Sequence, residues 1–298
     1  MLAGTPRFSR TLEVNEGMSI PPAMRLVLML PLALGAADAG AQAVVPPLGD
    51  IIAPHRAVYE IALARTEEGS GVASATGRMV FEITGNACQG FRMRQRMVVN
   101  IADGDGNPGV LDFRISTFES GDGDVYSFDS STKVNQEVVE AVEGEARREG
   151  KDIEITLKQP AEKIVRLNGA VLFPSQHLQA ILDAAQAERK FLSVDIYEGA
   201  GTGEASDEAA AAIGAGVSAA KEGPLRGGVR HWPVSVGYFD GGSGEVSELG
   251  EELPSYQMSF TLYENGVTND LVMDYGDYAL SGSLEEIEPL ADQGCPHP

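Results

Sequence analysis

The feature that most limits how this chain can fold is a two-residue rhythm that recurs from His55 to near the C-terminus. "FRMRQRMVVNI" puts Phe91, Met93, Gln95, Met97 and Val99 on one side and Arg92, Arg94 and Arg96 on the other. Successive strand side chains point to opposite faces, so such a segment is a strand with one buried face. "HRAVYEIALA" does the same with Ala57, Tyr59, Ile61 and Leu63. "ASATGRMVFEITG", "VLDFRISTFES", "VYSFDS", "DIEITLK", "AEKIVRLN", "FLSVDIYEG", "HWPVSVGYFD", "YQMSFTLYENG" and "VTNDLVMDYGDYALSGSL" continue the pattern. Turn signals such as "DGDGNPG", "GDGD" and the Asn-Gly of "ENG" separate them. The stretch "KVNQEVVEAVEGEARREG" reads equally as helix or strand. About a dozen strands without a strand–helix crossover rhythm predict an all-β fold, a large antiparallel open barrel or strongly curved sheet. The 35 glycines fit a turn-rich β chain, since they show no collagen period.

One mature segment breaks the rhythm. In "VLFPSQHLQAILDAAQAERK", Val171 to Lys190, Leu178, Ile181, Leu182 and Ala185 recur at helical spacing. Pro174 suits the first turn and Ser175 is a candidate cap. This single amphipathic helix is expected to pack its apolar stripe across the curved sheet. His177, one of four histidines, lies in its first turn. No motif supplies a nucleophile or metal partner, so a structural role is expected for it.

The first 43 residues read as a secretory signal peptide, with Met18 a second candidate start. Arg25 gives the positive region, Leu26 to Leu34 the apolar run and Ala41-Gln42-Ala43 the cleavage site. The apolar run is shorter than the ~20 residues a membrane span needs. The expected product is a soluble periplasmic protein without a transmembrane span. It would have a linker over 44–53 and a single domain over 54–298. Residues 199–230, rich in Ala and Gly, are expected to form a mobile insertion, with a short helix over Asp207 to Ile213 as an option.

Export gives the two cysteines, Cys88 and Cys295, a meaning. An even count in an oxidising compartment predicts a disulfide. A net charge of −22 opposes binding to nucleic acid. No G-x-S-x-G or H-E-x-x-H occurs, and the S-x-x-K matches at Ser130 and Ser218 lack a K-T-G. "DGDGNPG" departs from a calcium loop at Pro108 and Arg114 and reads as a turn. No metal or cofactor is expected. Trp232, Asp274 and Asp277 are candidate binding residues. The two aspartates also carry the alternative of an envelope glycan or lipid hydrolase, against the plainer reading of a polar strand bent at Gly276.

Taken together, "APHRAVYEIALA", "SATGRMVFEI" followed by "CQGF", "LFPSQHLQAI", "VSVGYFD", "YQMSFTLYENGVTNDLVMDYGDYALSGSL" and the C-terminal "GCP" resemble the EipB-type cell-envelope integrity family, periplasmic proteins of alphaproteobacteria. A Phe-Pro-x-Gln-His signature falls on Phe173, Pro174, Gln176 and His177, with Ser175 where Thr is usual. The resemblance implies a spiral-like open β-barrel with one helix packed across it. It also implies a Cys88–Cys295 disulfide and a non-enzymatic role in envelope integrity under stress. That fold is similar to periplasmic lipoprotein carriers, so lipid, a lipoprotein or a periplasmic protein partner is the implied ligand. No catalytic residues carry over.

Overall fold

The computed structural model describes residues 48–49, 52–218, 230–240, 253–291 and 294–295. The expected signal peptide lies outside them, as does 219–229 of the expected insertion. Among the described residues, fourteen strands and one helix follow in order. They are β1 (His55–Thr66), β2 (Ser74–Asn86), β3 (Gly90–Ala102), β4 (Pro108–Glu119), β5 (Val125–Val134), β6 (Glu137–Glu149), β7 (Asp152–Gln159), β8 (Lys163–Leu167), α1 (Pro174–Gln186), β9 (Phe191–Ile196), β10 (Asp207–Ile213), β11 (His231–Asp240), β12 (Tyr256–Tyr263), β13 (Thr268–Asp274) and β14 (Tyr278–Pro289).

All fourteen form one antiparallel, non-closed sheet in the order β8-β7-β6-β5-β4-β3-β2-β1-β14-β13-β12-β11-β10-β9. Two meanders, β1–β8 and β9–β14, thus join where the first strand pairs with the last. α1 connects the two outermost strands. The sheet must curl, and a length argument shows why. Laid flat, β8 and β9 would stand about 62 Å apart at the usual strand spacing of ~4.8 Å. Yet Leu172, five residues beyond the end of β8, bridges Ile196 of β9. Five extended residues span at most about 18 Å. The two edges are therefore brought close, and the result is an incomplete barrel. The expected all-β open barrel with one helix across it is the fold found.

The inward phase of each strand makes the core. Ala57, Tyr59 and Ile61 of β1 are buried, as are Phe91, Met93, Gln95, Met97 and Val99 of β3. The interior divides into two apolar clusters. The larger one holds the α1 stripe of Leu178, Ile181, Leu182 and Ala185 against β1–β4 and β10–β14. The smaller one, built on β5–β7, takes Phe173 together with Tyr126, Phe128 and Tyr197. The start of the helix is where the two clusters meet.

Two expectations change and one open reading is resolved. Residues 207–213 form neither a helix nor a mobile insertion but strand β10, paired with both β9 and β11. Ala209, Ala211 and Ile213 face inward and are buried. Small side chains suffice there because α1 packs close to this part of the sheet. The preceding loop is also anchored. A side chain at Gly199 would strike the Phe128 ring, and one at Gly203 would strike Leu157 and Val142.

The described part of the expected linker is likewise docked. Leu48 and Ile52 are buried in the larger cluster. Leu48 N–H donates to Gly121 O at 3.3 Å, and Ala53 N–H to Asn265 O at 3.0 Å. The ambiguous stretch from Lys133 is a hairpin. Asn135 and Gln136 both take positive φ, 51° and 74°, the requirement of a two-residue type I′ turn.

Candidate functional site

The Phe-Pro-x-Gln-His signature opens α1 inside the barrel. Phe173 is the N-cap residue, in extended conformation, and Pro174 follows at the first helical position. A phenyl ring cannot accept a hydrogen bond, so the first N–H groups need other partners. Glu119, the last residue of β4, provides them. Its Oε2 accepts from Ser175 N–H at 2.8 Å and its Oε1 from Gln176 N–H at 3.2 Å. Ser175 was the expected cap; it is instead a donor to a capping carboxylate supplied from the sheet. Gln176 Oε1 reaches back to accept from Phe173 N–H at 3.0 Å.

Arg148, near the end of β6, completes the knot. Its Nη2 donates to Val171 O at 3.0 Å and Gln176 Oε1 at 3.2 Å, and its Nε to Gly123 O at 3.2 Å. Its guanidinium lies 4.9 Å above the Phe173 ring, a cation–π contact. Gly123 permits this closeness. It has φ +75°, and a side chain there would come within 2.2 Å of Gln176 Nε2.

Burial pushes the Glu119 carboxyl up to about 7, although the N–H groups of Ser175 and Gln176 and the charge of Arg148 pull the other way. Burial lowers the Arg148 guanidinium. Burial also drives His177 down to about 4, so its imidazole is neutral at physiological pH. The ring stands edge-on to Tyr238, 6.4 Å between centroids. Tyr238 continues through Tyr256, Tyr275 and Tyr278 as a chain of neighbouring rings. His177 Nε2 has no hydrogen-bond partner among the described residues. The site offers a capped helix end and a neutral imidazole in an aromatic setting. The one buried carboxylate it holds is bonded to backbone amides.

The remaining sequence candidates lie elsewhere. Trp232 is only 1% exposed and is core, with Arg230 5.1 Å over its ring, so it presents no binding surface. Asp274 accepts from Arg65 at 2.7 Å and from Gly276 N–H at 2.9 Å. Asp277 is exposed in the β13–β14 turn and contributes its backbone carbonyl to Glu67 N–H at 2.9 Å. Among the described residues, no group of His, Cys, Asp and Glu is arranged to hold a metal ion. The disulfide joins Cys88, in the β2–β3 turn, to Cys295 across 207 positions of sequence, with Cα atoms 5.6 Å apart.

Glu119 and Arg148 were not among the sequence candidates, though a signal existed. Leu111, Phe113, Ile115, Thr117 and Glu119 share one phase of β4, and Val142, Gly144, Ala146 and Arg148 share one phase of β6. Each strand ends with a charge on its buried side.

A family model described as EipB-like matches residues 49–291. The chain is 33% identical over 247 residues to the cell envelope integrity protein EipB of Brucella abortus (strain 2308), covering 80% of this chain and 84% of that protein. It is also similar to the crystal structure of a β-barrel-like protein of a domain of unknown function from Brucella abortus. There the TM-score is 0.74 at 30% identity, over 82% of this chain and all of the other.

Proposed function

The chain belongs to the EipB-like family, and on that premise we propose that it is exported to the periplasm and keeps the cell envelope intact by binding rather than by catalysis. Its ligand is a lipid, a lipoprotein or a periplasmic protein, held on the outer face of the curved sheet. One observation carries this reading. The concave face is occupied by α1, and Phe173, Pro174 and Gln176 of the signature are spent in seating that helix. A relative that bears the name of an envelope-integrity protein supports the same role. No helix among the described residues is long and apolar enough to cross a membrane.

The hydrolase alternative rests on Asp274 and Asp277. Asp274 is held by Arg65 on a surface turn, so the binding reading is preferred. Complementation tests the choice. Deleting the gene in the parent bacterium is expected to sensitise cells to detergent. A folded Asp274→Asn/Asp277→Asn double variant is expected to restore resistance fully. Failure of that variant to rescue at normal protein level would favour the hydrolase.

A further inference from the structure

The outward phase of β1–β4 carries six arginines, 56, 78, 92, 94, 96 and 114, in a chain of net charge −22. Their placement by register is specific. Arg96 of β3 stands directly opposite Arg114 of β4. Like charges in a cross-strand pair destabilise a sheet. Asp112 relieves this pair alone: Arg96 forks onto both its carboxylate oxygens at 3.0 Å, and Arg114 onto the same two at 3.2 and 2.9 Å. One carboxylate thus serves two guanidiniums and leaves one positive charge over.

In the next row, Arg56, Glu82, Arg94, Ser116 and Asp129 follow one another across β1 to β5. Neither Arg56 nor Arg94 has an ion-pair or hydrogen-bond partner among the described residues. These two rows wall a surface groove of about 410 Å³. Four guanidiniums line it (Arg56, Arg94, Arg96 and Arg114) against two carboxylates, Glu82 and Asp129. Ser116 and Ser131 add hydroxyl groups, and Val80 and Ile115 supply apolar lining.

We infer that this groove is a binding site for a phosphate group, carried by a lipid head group or by a free phosphorylated solute. Planar guanidiniums match the oxygens of phosphate with paired N–H donors, and hydroxyls complete its shell. The groove volume falls in the range of small-ligand sites. Glu288 stands opposite Arg56 and Asp112 beside Arg96 and Arg114, so the recognition rests on the paired N–H donors the guanidiniums present to the groove rather than on a net positive field. The inference rests on the reading that the outer face carries the binding function.

The test uses the mature, disulfide-bonded chain. Titration calorimetry with inorganic diphosphate is paired with co-sedimentation on phosphatidylcholine vesicles with and without phosphatidic acid. Binding to either anionic probe supports the site. Diphosphate alone points to a soluble solute, phosphatidic acid alone to a lipid head group, and mutual competition to recognition of the phosphate itself. Arg56→Gln/Arg94→Gln is expected to weaken binding about tenfold or more, as the loss of charge-assisted hydrogen bonds implies. Lys151→Gln/Arg189→Gln makes the same change of net charge at two turns elsewhere and is expected to leave binding unchanged. Equal loss in both double variants, or no binding of either probe by the wild type, overturns the inference. If binding fails while the gene deletion still sensitises cells and the Arg variant rescues them, only the phosphate site is wrong. A deletion without any envelope phenotype counts against the functional reading itself.

Discussion

Glu119, at the end of a strand, caps the helix in which Ser175 stands at the second position, with 2.8 Å between carboxylate oxygen and amide nitrogen. A helix begun by an aromatic residue has no cap of its own and takes one from the sheet. Docking and capping of α1 are therefore one event.

The first prediction concerns pH. Glu119 is raised from an ordinary 4.5 to about 7, so the native state binds more protons than the unfolded chain between those values. Its contribution is full below pH 4.5 and is lost as pH rises towards 7. His177 is lowered from 6.5 to about 4, so its contribution is full above 6.5 and is lost as pH falls towards 4. Each shift corresponds to about 3 kcal/mol, with opposite sign. The two largely cancel, and wild-type stability is expected to vary little between about pH 4.5 and 6.5 from these groups. Urea unfolding of Glu119→Gln should expose a loss of stability on acidification, and His177→Gln a gain. Parallel profiles for all three proteins would refute this opposition.

Removing Arg148 should loosen the helix start. Arg148→Met leaves the carbonyls of Gly123 and Val171 without this donor and strips Glu119 of its counter-charge. A loss of about 3–5 kcal/mol is expected from breaking a buried charge network by one partner. The denaturation midpoint reads it, and the near-UV signal of Phe173 and Tyr126 should fall with it.

The disulfide closes a loop of 207 positions. In the chain-entropy account, a closure of that length stabilises by about 5 kcal/mol at most. Cys88→Ser/Cys295→Ser is expected to melt below the oxidised wild type, and reductant should lower the wild type to meet it. Identical melting curves with and without reductant would show that the bond adds no stability.

β10 offers a sharp test because its composition argues against a strand. Amide exchange over 207–213 should be slow, since the strand is flanked on both sides by hydrogen-bonded neighbours. Ala211→Asp would bury an unpaired carboxylate at a site 2% exposed and is expected to prevent folding. Fast exchange there would mean that the segment does not belong to the sheet.

How much of this was legible depends on contrast. The alternation of Phe91, Met93, Gln95, Met97 and Val99 with three arginines leaves β3 no other reading, and its burial follows the pattern residue by residue. The helix was equally plain from Leu178, Ile181, Leu182 and Ala185. β10 was not, because Ala209 to Ala212 gives no polar–apolar difference to read, and its burial depends on a helix that arrives from elsewhere. The hairpin at Asn135-Gln136 was hidden by a Gln in a position that usually takes Gly. The cap was hidden differently. Glu119 and Arg148 sit on the buried phase of their strands, but nothing local says that a helix end will be there to receive them.

The pairing of β1 with β14 has a consequence for the order in which the molecule is completed. The first strand to leave the ribosome waits for the last one, more than two hundred residues later. Contacts of such sequence separation are slow to form. Neither meander can finish its central seam alone, so both sides of that seam stay unpaired until the chain is nearly complete. The final strand, once released, then closes the middle of the sheet rather than its rim.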